Sequence, residues 1–219
     1  MSAHPGSEGP VTHYELFAGL RGASVAFLVT GAAALTLHGV PRLTPDIDLL
    51  VDADAANLER LRRLLAAWGY GLASTPAAPE PRSPIRRYGH PTAALAAIEV
   101  VELAPSAFER LRDSSASVTL VDCAIPFVGA ADLIAQKGPA GTAPDPEGAA
   151  GLATLASLQA GEHGADDDTA REQIRKFARW SVAARLDWLL AAARLGKGLS
   201  PEAKPMTRGL VRRRGWYGR

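Results

Sequence analysis

Asp46 and Asp48 stand one residue apart at the entrance to an apolar run, in GVPRLTPDIDLLVD, residues 39–52. A carboxylate is costly to bury, so two of them opening a buried segment need a reason. In a strand, residues two apart point to the same face, with Cα atoms about 6.5–7 Å apart. Their charges repel, and one pKa rises unless a cation lies between them. Magnesium, or manganese, suits such a pair: a hard ion that takes one or two carboxylates and completes its shell with water and substrate phosphate. A third carboxylate on a neighbouring strand would extend the set toward a two-ion clamp, with ions about 3.5–4 Å apart, suited to in-line phosphoryl or nucleotidyl transfer. Glu99 in IEVVE is that candidate, and Glu102 is the alternative on the opposite side of the same strand. The simpler reading of D-x-D is a strand opening in which Asp48 caps a turn.

The other reactive residues each carry a plainer alternative. Arg42, just before D-x-D, either meets phosphate oxygens or is a solvated turn residue. Lys137 ends AADLIAQK, where a cation favours a helix C-terminus in any protein; nucleotide contact is the alternative. His38 reads as a packed or capping residue and Cys123 as a small buried one, with no zinc spacing and no Ser-His-Asp arrangement. Residues 204–219 hold six Lys or Arg and no acid, with Trp216 and Tyr217 among them. Such a tail is either solvated and unstructured or able to hold RNA by phosphate contacts and base stacking.

These residues need elements to position them. Residues 14–20 have a short helical pattern, and ASVAFLVTG reads as a buried strand closed by Gly31. AAALTLHG favours helix, with Gly39 suited to a left-handed C-cap and Pro41 preventing continuation. DIDLLVD is the second strand; Asp52 or Asp54 caps a helix whose Leu58, Leu61, Leu64, Leu65 and Trp68 recur at helical spacing. Residues 73–90, rich in proline and holding Arg82, Arg86 and Arg87, show no apolar period and read as a long loop. AAIEVVEL is a strand, and Ser106 with Glu109 has capping-box spacing for a short helix. SVTLVDCAIPFVG holds one or two strands, AADLIAQK a helix, and GPAGTAPDPEG a loop. From residue 149 the chain is helix-prone, with a second capping-box pair at Thr169 and Glu172 and a period through Ile174, Phe177, Val182, Leu186, Leu189 and Leu190. The expected organisation is a flexible 1–12, a core over 13–148, a helical region over 149–197 and a basic tail over 198–219.

Composition sets outer limits. The 219 residues are 47% hydrophobic, ample for a packed core. Lys+Arg at 24 against Asp+Glu at 23 leaves no whole-molecule field to force a nucleic-acid or membrane partner. One cysteine excludes an internal disulfide, and the N-terminal residues lack a signal-peptide layout, so the expected setting is cytoplasmic with no membrane span.

FLVTGAAALTLHGVPRLTPDIDLLVD, residues 27–52, resembles the signature of the DNA-polymerase-beta-like nucleotidyltransferase superfamily, especially its small bacterial members of toxin-antitoxin or defence type. The resemblance is looser out to residue 137, and RWSVAARLDWLLAAARL is similar to a helix often appended to such chains. It implies an α/β (α+β) fold with a mixed sheet flanked by helices and a helical C-terminal part. It implies an enzyme that moves a nucleotidyl group from a nucleoside triphosphate to a hydroxyl acceptor, with Asp46, Asp48 and Glu99 as metal-holding catalytic residues. Gly31, Ala32, Arg42 and Lys137 are its implied nucleotide-binding positions, and Mg2+ (or Mn2+) its cofactor. The acceptor it implies is RNA or an antibiotic-type small molecule; a catalytically weak binding protein that meets a cognate antitoxin is the third form. The chain departs from the pattern at Ala32, where Gly or Ser is usual, at Glu99, where Asp is usual, and after residue 137, where an Arg-x-Lys-Asp run is usual.

Overall fold

The computed structural model describes residues 9–10, 12–44, 46–72, 85–92, 95, 97–135, 146–161 and 168–197. Lys137 and the basic tail lie outside the described residues, as do residues 73–84. Helix α1, His13–Gly22, opens on a complete capping box: the Glu15 amide donates to the Thr12 hydroxyl, and the Thr12 amide donates to the Glu15 carboxylate. Strand β1, Phe27–Thr30, is buried throughout and passes directly into α2, Gly31–His38. Gly39 ends that helix with φ 104°, the left-handed cap that a residue without Cβ adopts at least cost. After residues 40–44 come β2, Ile47–Asp52, and α3, Ala55–Ala67, capped by Asp54 accepting from the Asn57 amide. The buried Asn57 amide then bonds Ala26 at both backbone groups and the Asp52 carbonyl, fixing α3 against the start of β1 and the end of β2.

A two-residue β3, Gly71–Leu72, precedes β4, Ile85–Gly89, and β5, Ala97–Leu103. Helix α4, Pro105–Asp113, the hairpin β6, Ala116–Leu120, and β7, Cys123–Phe127, and the short α5, Ala130–Ala135, follow. The chain then becomes helical as expected: α6, Pro146–Gln159, α7, Asp168–Ala178, and α8, Val182–Lys197. Among the described residues seven strands form one mixed sheet in the order β3-β4-β5-β2-β1-β7-β6. Its centre is β1 antiparallel to β2 and β2 parallel to β5; β1 also lies parallel to β7. The expected mixed sheet flanked by helices is therefore present.

The sheet's two faces are covered differently. One presents Phe27, Val29, Ile47, Leu49, Val51, Ile98 and Val100 to a core shared with α1, α3 and α8. Leu186, Leu189 and Leu190 place the C-terminal helix in that same core. The opposite face presents Leu28, Leu50 and Val101 to Phe108 and Leu111 of α4. No helix among the described residues is long and apolar enough to cross a membrane.

Four local expectations need correction. Residues 85–89, read as loop, form β4, paired antiparallel with β5 from Ile85↔Val101 to Gly89↔Ala97. IRRYG hides its alternation because each arginine has a carboxylate across the strand, which permits a cation where an apolar residue is normally expected. Ser106 is inside α4, which begins at Pro105 after an N-cap at Ala104 without a side-chain bond; proline's fixed φ suits the first helical position. Thr169 likewise falls inside α7, which starts at Asp168. The long C-terminal period is also split, since α7 ends at Ala178 and α8 begins at Val182.

Candidate functional site

The register brings distant residues into one transverse row. Thr30 of β1 is the Cα partner of Asp48 of β2, Asp48 of Glu99 of β5, and Glu99 of Arg87 of β4. Paired residues share a face, so Thr30, Asp48, Glu99 and Arg87 cross four strands on the α4 side of the sheet. Leu50 and Val101, two residues farther along, are covered by α4, whereas Asp48 and Glu99 are half-buried and retain access to water. Asp46 lies just before β2, two residues from Asp48, and receives the Thr44 hydroxyl at 2.5 Å.

Glu102 is on the other face. It takes the Arg86 guanidinium at 2.5 Å, away from the aspartates. Glu99 shares a face with Asp48, and Glu102 does not.

Charge in the row is unevenly compensated. Arg87 sends one guanidinium nitrogen to Glu99 at 3.2 Å and the other to Asp46 at 3.5 Å, with 47% of its side chain exposed. Asp48 is pushed up to about 7, first by the loss of water around it and then by the charges of Asp46 and Glu99, with Arg87 opposing. Glu99 is also raised, chiefly by burial and then by Asp46. Two neighbouring carboxylates and partial desolvation disfavour the ionised Asp48 in the way the spacing alone suggested.

Gly31 has a second role beside the expected backbone approach to phosphate. Its φ is +62°, and a Cβ there would lie 2.0 Å from Asp48 Oδ2. The glycine makes room for the carboxylate itself. Helix α2, which starts at this glycine, is held at its far end by α7 and α8. Arg185 Nη1 donates to the Thr36 carbonyl at 3.2 Å and the Leu37 carbonyl at 2.8 Å, and Gly39 leaves space for Ala178.

Of the nucleotide positions implied by resemblance, Gly31, Ala32 and Arg42 are among the described residues. Ala32 follows Gly31 in the first turn of α2. Arg42 is half-buried in residues 40–44, where its carbonyl accepts the Thr36 hydroxyl at 3.3 Å. His38 is a packed residue: its Nε2 meets the Val128 carbonyl at 2.9 Å, its ring stands edge-on to Phe127, and burial lowers its pKa. Cys123 is free and buried. Sequence reasoning missed Arg87 and Thr30 as members of the row. No alternation in residues 85–88 signalled the first, because Arg86 and Arg87 are adjacent.

The three carboxylates offer only hard oxygen donors, and their charge exceeds what one arginine supplies. That chemistry fits a divalent cation. Among the described residues, however, no three His, Cys, Asp or Glu side chains are already drawn into a metal cage. Side-chain movement would have to complete one.

No family model matches the sequence, and no curated protein does. Seven chains of solved structures match, and two of them are as follows. A candidate nucleotidyltransferase from Thermotoga maritima has 17% identity and a TM-score of 0.39, covering 53% of this chain and 74% of its own. An antigenic nucleotidyltransferase-like protein from Paracoccidioides brasiliensis has 15% identity and a TM-score of 0.39, covering 94% and 91%. Likeness of this degree assigns neither family nor activity to this chain.

Proposed function

We propose that this chain binds a nucleoside triphosphate with Mg2+ or Mn2+ and transfers its nucleotidyl group to a hydroxyl acceptor. The observation that carries the reading is that Asp48 and Glu99 are register partners on one sheet face, with Asp46 two residues before Asp48 and Gly31, the first residue of α2, against the Asp48 carboxylate. Asp46, Asp48 and Glu99 would hold the cation. When bound, it would supply positive charge for the transferring phosphate and the leaving pyrophosphate. The first amides of α2, which the Thr30 side chain leaves uncapped, would receive phosphate oxygens. A residue at 31 with a side chain would be excluded by Asp48 before any ligand entered. Thr30, across from Asp48, places a hydroxyl-bearing residue two positions before Ala32, the position where the sequence lacks one.

An RNA acceptor draws on the basic residues 204–219 and a small-molecule acceptor on a local pocket alone. A catalytically weak binding protein of a toxin-antitoxin pair is the rival, favoured by Arg87 spanning Asp46 and Glu99 in place of a formed cage. The test is incubation with each α-labelled triphosphate and Mg2+, with total RNA or with aminoglycosides as acceptors. Label should move to one acceptor class and cease in Glu99→Gln, while Glu102→Gln retains it. No transfer to either class, with triphosphate binding intact, favours the binding protein.

A further inference from the structure

Arg86 and Arg87 are consecutive, yet their ion pairs differ in kind. Arg86 meets one carboxylate, Glu102, at 2.5 Å. Arg87 divides its two terminal nitrogens between Glu99 at 3.2 Å and Asp46 at 3.5 Å, without a bidentate pair to either. Exposed contacts of this length are weak individually. The guanidinium nevertheless occupies the space between two of the three acids that the proposed function assigns to the cation.

We infer that Arg87 is the internal counter-cation of this carboxylate cluster and that a divalent ion enters only by displacing it. The inference rests on the cation-binding reading above and adds its regulation. Both positive groups draw on the same two carboxylates, Asp46 and Glu99, so they compete for them. In the metal-free protein the guanidinium limits repulsion between Asp46 and Glu99. A small doubly charged ion can contact several of these oxygens at about 2.0–2.1 Å, which a planar guanidinium spanning two separate groups cannot do. Loss of the arginine contacts therefore sets a threshold for cation entry, and the released side chain moves into solvent or toward substrate.

The experiment is a Mn2+ titration, without nucleotide, of the full-length wild type and of Arg87→Gln, Arg87→Lys and Arg86→Gln, with free Mn2+ followed by electron paramagnetic resonance. Exclusion predicts about tenfold tighter Mn2+ binding in Arg87→Gln, the sum of two weak contacts released. It predicts a smaller gain in Arg87→Lys, which keeps the charge but cannot span both acids. Arg86→Gln, which removes the same charge from the opposite face, should match the wild type. In 15N-arginine-labelled protein, Mg2+ should shift the Arg87 Nε–H resonance and leave that of Arg86 in place. Equal Mn2+ affinity in wild type and Arg87→Gln overturns the exclusion while leaving the cation site standing. An equal gain in Arg86→Gln also overturns it, because the effect is then general electrostatics. Weaker binding in Arg87→Gln would make the arginine a supporting group and contradict the inference. Absence of Mn2+ binding in every form removes the cation-binding reading as well.

Discussion

The two faces of the central sheet treat charge in opposite ways. On the face packed by α1, α3 and α8, Glu102 and Arg86 form a single close pair at the margin of an apolar core. On the α4 face, Asp46, Asp48 and Glu99 share one half-exposed arginine, and Asp48 is driven up to about 7. A matched pair stabilises modestly and is complete. An unmatched cluster raises the free energy of the metal-free protein, and that excess becomes available to a ligand of opposite charge. Sites of this kind are where strongly perturbed carboxylates tend to collect.

The comparison breaks most sharply at Gly31. Gly31→Ala introduces an atom 2.0 Å from Asp48 Oδ2 at a φ of +62°, combining a clash with left-handed backbone strain. The expected loss is about 2–4 kcal/mol in chemical denaturation. Gly22→Ala in α1, where an added Cβ meets nothing within 4 Å, should be neutral or stabilising by less than about 1 kcal/mol.

Asp48→Asn should stabilise the metal-free protein at pH 8. A carboxyl raised from 3.8 to about 7 binds its proton more tightly when folded, so the cost of ionising it is absent below 3.8, grows as pH rises and is complete above about 7. Wild-type stability should therefore fall between pH 4 and 7 relative to Asp48→Asn, by about 1–4 kcal/mol. Melting curves of both proteins over that range measure the difference, and parallel curves would remove the unmatched-charge account. Cation binding carries the reverse sign. The proton must leave Asp48 first, so Mn2+ affinity should weaken by up to about tenfold per pH unit below 7.

On the matched face the effects are smaller. Arg86→Gln should cost about 1 kcal/mol, discounted because the arginine is 38% exposed, and should not alter the pH profile assigned to Asp48. Urea unfolding at pH 5 and pH 8 checks both statements.

Much of this arrangement was legible in residue order because it is local. Gly31, the short helix to His38, the Gly39 cap and the two aspartates lie within one βαβ stretch, where spacing dictates direction. Reading AAIEVVEL as a strand put Glu99 and Glu102 on opposite faces, but which of them shares a face with Asp48 depends on the register of β5 against β2. Arg87 was not legible. Its position depends on β4 aligning with β5 in one register, and a slip of one residue would exchange the environments of Arg86 and Arg87. Two adjacent arginines also erase the apolar alternation by which strands are recognised. The apparent capping boxes at Ser106 and Thr169 failed because helix starts depend on backbone context: Pro105 takes the first helical position in one case, and the helix already includes Asp168 in the other.

The central claim is that Asp46 and Asp48, on the unmatched face, form the cation site. Its most direct measurement is a calorimetric Mn2+ titration at pH 8 of the wild type and the Asp46→Asn, Asp48→Asn double variant, with folding of each verified by its unfolding transition. The account predicts saturable binding in the wild type and loss of at least about 100-fold in affinity in the folded double variant, since two direct oxygen ligands are removed. Undiminished binding in the double variant would place the cation elsewhere and contradict the account.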